Sequence, residues 1–401
     1  MSTASVDFSA DAIEGLPLAT LLHLNGFFDE RIFQEMSQYI LWGIDNLGIL
    51  PPVQHGKKVM LVADASFPHL NIHNKVEQSL HAQVLFDNFG SNPLYEDVVR
   101  GVELFEKNGC DVIVAVGGGS CIDVAKCIKL FSNLPHGSNY LQAEWSDSGI
   151  PLIAIPTTAG TGSESTRYAV IYHEGTKQSI SHPSIIPNYA ILEPEVLLTL
   201  PIYQKKCTLF DALCQGIESW WSINSTELSI YHSTFAVSTI IENMENYLNG
   251  GDMLATRLVM DAANRAGQAI CITQTTAPHA FSYKLTSIYG LPHGHAVAVC
   301  LPAIWHYMLS SRNSCVDARG WNYVQKVFDA ISQAMHCSCP QEAIDWFQSM
   351  LTKFEINYPT SKDRERELNL LTESVNPIRL KNSPVAIDRD AAYNIYNSIL
   401  Q

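Results

Sequence analysis

A buried strand running straight into three consecutive glycines constrains this chain more than any other feature. Asp111 to Val116 is apolar and β-branched, Gly117-Gly-Gly-Ser120 follows at once, and helical spacing runs from Ile122 to Phe131. Strand, glycine turn and helix in that order predict one unit of a parallel sheet wound with helices. Glycines let the backbone come close to a pyrophosphate, and the first turn of the next helix presents unpaired N–H groups to the anion. A glycine triplet alone also fits an ordinary tight turn. Asp123, in the first turn of that helix, is expected to cap it rather than to meet a phosphate.

The same alternation extends on both sides. Lys58 to Ala63, Gln83 to Phe86 and Pro151 to Ile155 read as further strands, and Tyr95 to Asn108 as a helix. After about Pro201 the period changes to that of helices: Ala212–Trp221, Leu228–Leu248, Leu254–Ala269, Ala280–Ile288, Ala296–Leu309, and then Trp321–Met335, Ala343–Phe354 and Asp388–Leu400. The expected fold class is therefore α/β followed by all-α. Residues 1–200 form a Rossmann-like parallel-sheet dinucleotide-binding domain, and residues 201–401 a helical domain for metal and substrate. A length of 401 residues fits two cores better than one.

Composition excludes several partners. A formal net charge of −15 argues against nucleic acid and against an anionic membrane surface. Apolar runs such as Ile150 to Ile155 are far too short to span a bilayer. The opening MSTASVDFSADAIEG has neither the basic nor the apolar region of a secretory signal. The ten cysteines show no C-x-x-C spacing, so free thiols in a reducing cytoplasm are expected.

A second glycine-rich loop, Pro156-Thr-Thr-Ala-Gly-Thr-Gly-Ser-Glu164, follows the Pro151–Ile155 strand and offers hydroxyls to a polar ligand. Asp64, at the end of the Lys58–Ala63 strand, is placed to accept hydrogen bonds from an adenosine ribose, which favours NAD over NADP. A turn-forming aspartate is the competing reading, and NADP stays open.

Together these segments resemble the iron-containing alcohol dehydrogenases. The matching pieces are Asn92-Pro93, Gly117-Gly-Gly-Ser-Cys-Ile-Asp-Val-Ala-Lys126, PTTAGTGSEST from Pro156, Asp211-Ala-Leu-Cys-Gln-Gly-Ile-Glu218, and Leu291-Pro-His-Gly-His295. They cover nearly the whole chain in order. The resemblance implies the dehydroquinate synthase-like fold, with the active site in the cleft between an α/β and a helical domain, and it implies a homodimer. For the cofactor it implies Asp64 at the ribose, with Asn92, Gly118, Gly119 and Ser120 at the pyrophosphate. Thr157, Thr158, Thr161 and Thr166 would line the nicotinamide side, and Lys177 would lie near the ribose.

Members of that family hold a divalent metal, iron or zinc, through an aspartate, a histidine four residues later, and two more histidines. By the resemblance, Asp211 and His293 keep two of these positions, while Gln215 and Tyr283 stand at the others. Amide and phenol are poor ligands at neutral pH. Three readings stay open. Metal is held by Asp211 and His293 with help from His279 or His295; or metal is absent and side chains polarise a carbonyl; or the chain is inactive. Without metal, Tyr283 is the expected acid and Lys284 the expected cation for a developing alkoxide, with His279 orienting Tyr283 from one turn earlier. Trp220, Trp221 and Glu218 are expected to serve packing only.

The stretch Ser282-Tyr-Lys-Leu-Thr-Ser287 places a cation and hydroxyls where an aliphatic alcohol would need apolar contacts. It resembles the phosphonoacetaldehyde reductase (hydroxyethylphosphonate dehydrogenase) branch. That implies an anionic aldehyde, phosphonoacetaldehyde, reduced to 2-hydroxyethylphosphonate by NADH, with Lys284 on the phosphonate or the alkoxide and His295 assisting. The alternatives are a dehydrogenase of another simple or phosphorylated alcohol, a dehydroquinate synthase-like lyase that uses NAD transiently, and a regulatory protein that binds the dinucleotide without turnover.

Overall fold

A computed structural model of the protein describes residues 38–54, 56–80, 83–135 and 137–401. The opening segment read for a leader lies outside them. The chain forms two compact units. One comprises the described residues through Thr157 together with Ser163–Val196; the other comprises Thr158–Gly162 and Leu197–Gln401.

The first unit is built on a parallel sheet. Its strands are β1 (Tyr39–Trp42), β2 (Val59–Ala63), β3 (Gln83–Phe86), β4 (Val112–Gly117), β5 (Leu152–Pro156) and β8 (Tyr189–Leu192), in the order β1-β8-β5-β4-β2-β3. A separate antiparallel hairpin pairs β6 (Tyr168–His173) with β7 (Thr176–Ser181). Helices α1 (His73–Ser79), α2 (Tyr95–Asn108) and α3 (Gly119–Phe131) accompany the strands. Every residue of β2, β4 and β5 is buried, as expected of strands covered on both faces, so they read as unbroken apolar runs. The register sets Ala63 beside Val116 and Gly117 beside Pro156. The carboxyl ends of three neighbouring strands therefore deliver Asp64, the glycine turn and Thr157 to one edge, where open α/β sheets bind ligands.

The second unit is helical. Its elements are α4 (Ile202–Trp221), α5 (Glu227–Asn249), α6 (Met253–Thr273), α7 (Ala277–Tyr289), α8 (His293–Ser310), α9 (Trp321–Ala334), α10 (Pro340–Lys353), α11 (Arg364–Glu373), α12 (Pro377–Leu380) and α13 (Arg389–Ile399). Helix α4 is almost wholly buried and packs against α5, α6 and α8. Gly162, with φ at +60°, lets the loop Thr158–Gly162 touch α6; a Cβ there would lie 2.4 Å from Gly267 Cα. Among the described residues no helix is long and apolar enough to cross a membrane.

Candidate active site

Three donors converge in the helical unit. Asp211 lies on α4, His279 in the first turn of α7, and His293 is the first residue of α8. Their ligand atoms lie within 4.8 Å of one another. Chain chemistry explains the convergence. Gly290 closes α7 in the left-handed conformation, and Pro292 serves as N-cap to α8, so His293 falls on a helix start. Gly294 then lets α8 approach α4 so closely that a Cβ would stand 2.0 Å from the Cys207 carbonyl oxygen.

His279 is fixed by a buried carboxylate. Its Nδ1 is 2.5 Å from Glu218 Oε1, and its Nε2 is 3.4 Å from Asp211 Oδ1. Glu218, fully buried, also accepts from Thr276 N–H at 2.7 Å and from Thr276 Oγ1 at 3.0 Å. Trp221 Nε1 in turn donates to Thr276 Oγ1 at 2.9 Å. Burial alone would pull the His279 imidazole down, but Glu218 and Asp211 push it up to about 9. Burial would raise the Asp211 carboxyl, and the two neighbouring histidines outweigh it and hold the group below the usual range. His293 Nε2 lies 4.0 Å from Asp211 Oδ1.

The donor set fits a divalent cation. Among the described residues, Asp211 Oδ1 and Gln215 Oε1 are buried acceptors without a well-formed hydrogen bond; His279 Nε2 stands off at 3.4 Å from the former. That is a costly state for protein atoms and a natural one for ligands. Gln215, one turn after Asp211, directs its amide nitrogen to the Thr161 carbonyl at 3.3 Å. That leaves its oxygen available. One carboxylate, two imidazoles and an amide oxygen suit iron or zinc.

The structure separates the other site residues sharply. Tyr283, at the third ligand position by the resemblance, stacks on His293 with ring centroids 6.1 Å apart, and its place in the donor group is taken by His279. His279 is bonded to Glu218 and does not orient Tyr283. Burial raises the Tyr283 phenol, opposed by the Arg379 guanidinium that hydrogen-bonds it. Lys284 is half-buried, and its ammonium meets no partner among the described residues. His295 has both ring nitrogens engaged, with Tyr203 Oη at 2.8 Å and the Asn357 carbonyl at 2.7 Å. Burial holds its imidazole below the ordinary value, and its two bonds tie α8 to α4 and to the segment at Asn357. Glu218, expected to serve packing, is instead the partner of His279. Asp211, Gln215 and Glu218 are spaced four and three apart on one face of α4, and that spacing is the signal that could have found it.

In the first unit, Gly118 is the N-cap of α3 and makes no side-chain cap bond, so the leading N–H groups of a 13-residue helix stay open. A Cβ on Gly117 would lie 2.5 Å from Cys121 Cβ and 3.1 Å from Asp64 Oδ2. Glycine at 117 is thus required by the close packing of the turn, and the open start of α3 is the feature that suits a pyrophosphate. Asp64 Oδ1 accepts from Ser66 N–H and Oγ, at 2.8 and 2.5 Å. Ser120 Oγ donates to the Ser91 carbonyl at 2.6 Å, next to exposed Asn92. Asp123 does not cap its helix; it accepts from Ser163 Oγ at 2.6 Å and from Val170 N–H at 2.8 Å, tying α3 to β6. Thr166 faces inward, where its hydroxyl and Ser163 Oγ take Lys126 Nζ at 3.0 and 3.1 Å. Lys177 sits on β7 within electrostatic reach of Asp123. Thr158 and Thr161 belong to the loop of the second unit.

Comparison with known proteins adds the family context. Residues 43–194 match the model described as iron-containing alcohol dehydrogenase, and residues 206–396 match that of the C-terminal part of the Fe-containing alcohol dehydrogenase family. The chain is 33% identical over 289 residues to phosphonoacetaldehyde reductase of Streptomyces viridochromogenes, covering 65% of this chain and 73% of the relative. Among solved structures, the iron-containing alcohol dehydrogenase of Thermococcus thioreducens superimposes with a TM-score of 0.81 at 22% identity, covering 91% of this chain and 98% of that one. Sulfoacetaldehyde reductase from Bifidobacterium kashiwanohense, in complex with NAD+, gives 0.80 at 23%, covering 91% and 97%. At these identities the two structures speak for the fold.

Proposed function

The chain belongs to the iron-containing alcohol dehydrogenase family and is an aldehyde–alcohol oxidoreductase, and from that premise we propose that it reduces phosphonoacetaldehyde to 2-hydroxyethylphosphonate with NADH. The observation that carries the chemistry is the Asp211, His279 and His293 group with the buried acceptor oxygens of Asp211 and Gln215. The substrate is supported by the likeness to phosphonoacetaldehyde reductase and by the Lys284 ammonium, which is next in sequence to Tyr283 and meets no partner among the described residues.

In this reading Asp211, His279, His293 and the Gln215 oxygen hold the metal, which supplies Lewis acidity toward a carbonyl oxygen when bound. The open start of α3, with Asn92, Gly118, Gly119 and Ser120, holds the pyrophosphate, and Asp64 holds the ribose of the nicotinamide cofactor, which supplies the hydride. Thr157, Thr158, Thr161, Thr166 and Lys177 are retained as cofactor residues from the resemblance; of these, Thr166 is already committed to Lys126. Glu218 keeps the His279 proton on Nδ1 and leaves Nε2 as the ligand atom. Tyr283, protonated because burial raises it, gives its hydroxyl proton to the alkoxide that hydride addition leaves. Lys284 draws the anionic aldehyde in. The reading includes a homodimer, taken from the resemblance alone, and a reducing cytoplasm, with which ten free cysteines agree.

The test is NADH oxidation with phosphonoacetaldehyde and with acetaldehyde, on metal-stripped and reloaded protein. We expect activity that returns with metal and a kcat/KM at least about 100-fold higher for the phosphonate, the worth of two or so charge-assisted hydrogen bonds. Equal rates on both aldehydes would remove the substrate assignment, and full activity without metal would remove the ligand assignment.

A further inference from the structure

A guanidinium stands at the edge of the metal-ligand group, and the chain has gone to some length to hold it there. Arg379 is on the short helix α12, whose N-cap Asn376 accepts through Oδ1 from Ile378 N–H and Arg379 N–H at 3.0 and 3.1 Å. Asn376 N–H reaches the Ala280 carbonyl of α7 at 3.5 Å, one residue after His279. The Arg379 side chain hydrogen-bonds the Tyr283 hydroxyl, and Tyr283 lies flat against His293. Arg379 Nη1 also donates to Gln274 Oε1 at 3.1 Å.

Gln274 is itself unusual. It ends α6 with φ at +62° and ψ at 172°, a region that essentially only glycine occupies. A side chain is kept in that conformation all the same, and its oxygen accepts from Arg379 and from Asn382 Nδ2 at 3.2 Å. Asn382 is buried and also donates to the Thr275 carbonyl at 3.0 Å. A glycine would remove the backbone strain and remove the Arg379 support with it. Strained backbone of this kind persists where surrounding structure over-determines it, commonly at ligand clamps.

From this convergence we infer that Arg379 is the specificity-determining residue that takes the anionic head group of the aldehyde, and that Gln274 positions its guanidinium. The inference rests on the reading of an anionic substrate and names the group that reads the charge. A planar fork of N–H donors matches a phosphonate in two parallel bonds, which the point charge of Lys284 does not. Lys284 then contributes attraction, and Arg379 contributes discrimination.

Steady-state kinetics on the metal-loaded enzyme test this with phosphonoacetaldehyde and acetaldehyde in parallel. Arg379→Ala is expected to raise KM for phosphonoacetaldehyde by roughly 10- to 100-fold, the loss of one or more charge-assisted bonds, and to lower kcat/KM for phosphonoacetaldehyde at least about tenfold more than kcat/KM for acetaldehyde, whose smaller loss reports the Tyr283 contact. Arg379→Lys keeps the charge without the fork and is expected to recover only part of the loss. Gln274→Gly is expected to raise the same KM about fivefold, with thermal stability equal or higher because glycine fits the backbone. Equal loss on both aldehydes in Arg379→Ala would make the residue a support for Tyr283 alone and overturn the inference. An unchanged KM for phosphonoacetaldehyde would do so as well. Failure of the substrate reading shows separately, as wild-type enzyme that does not prefer the phosphonate before any residue is changed.

Discussion

Replacing Glu218 by Gln should cost the protein its metal before it costs the fold. The carboxylate accepts three hydrogen bonds, from Thr276 N–H, Thr276 Oγ1 and His279 Nδ1. An amide of the same shape keeps one accepting oxygen and turns the other into a donor. With that oxygen on Thr276 N–H, its NH2 faces His279 Nδ1, which must then accept. The imidazole proton moves to Nε2, the atom 3.4 Å from Asp211 Oδ1 and the one needed for ligation. Loss of a ligand-orienting partner of this kind typically weakens metal binding about 10- to 100-fold, or about 1.4 to 2.7 kcal/mol. The assay is competition for zinc against a chromophoric chelator, using metal-free wild type and variant, with far-UV circular dichroism to confirm that both are folded. Affinity of a folded Glu218→Gln protein within twofold of wild type would refute the reasoning.

Three further expectations follow from particular contacts. Gly294→Ala forces a Cβ against the Cys207 carbonyl, 2.0 Å away, and against Asp211 Cβ, 2.8 Å away; displacement of α8 with His293 should lower metal affinity at least about tenfold and stability by about 1–3 kcal/mol, and an unchanged chelator titration would contradict it. Lys126→Met removes the cation that Ser163, Thr166 and the Tyr168 carbonyl surround, leaving the buried Asp123 carboxyl unbalanced, and should cost about 3–5 kcal/mol in urea unfolding; a loss below about 1 kcal/mol would show that the pair is dispensable. Burial, with the Arg265 charge second, holds the His232 imidazole down to about 3 from its ordinary 6.5. The unfolded chain therefore binds the proton first, so stability is full above about pH 6.5 and falls as pH drops toward 3, by about 2 kcal/mol at pH 5; His232→Leu should lose that share of the pH dependence, and identical pH slopes in both proteins would rule it out.

Much of this was legible in the residues, for physical reasons. Strands buried on both faces are unbroken apolar runs, so β2, β4 and β5 stand within a residue of where their composition puts them. Long amphipathic helices such as α5 and α6 declare themselves by period. The β6–β7 hairpin was not apparent, because its turn is Glu174-Gly175, with φ at +50° and +72°, rather than the Asn-Gly or Asp-Gly that marks such turns. Four-residue strands like β1 and β8 carry too few positions to show a period. At the site, Asp211 and His293 stood out, while the second imidazole was left open between His279 and His295. Helical spacing within α7 made His279 look like a neighbour of Tyr283, whereas its partners come from α4, many residues earlier in the chain. Arg379 and Gln274 meet across more than a hundred residues, and no local pattern announces such a pair.

Isotope transfer tests the central assignment most directly. The enzyme, loaded with metal, is given phosphonoacetaldehyde and NADH carrying deuterium at both C4 positions, and the product is examined by mass spectrometry. Net hydride transfer predicts 2-hydroxyethylphosphonate with one deuterium on the carbinol carbon, formed one for one with NADH consumed. Product without deuterium, or turnover that leaves the nucleotide unchanged, would contradict an aldehyde reductase and point to transient use of the cofactor.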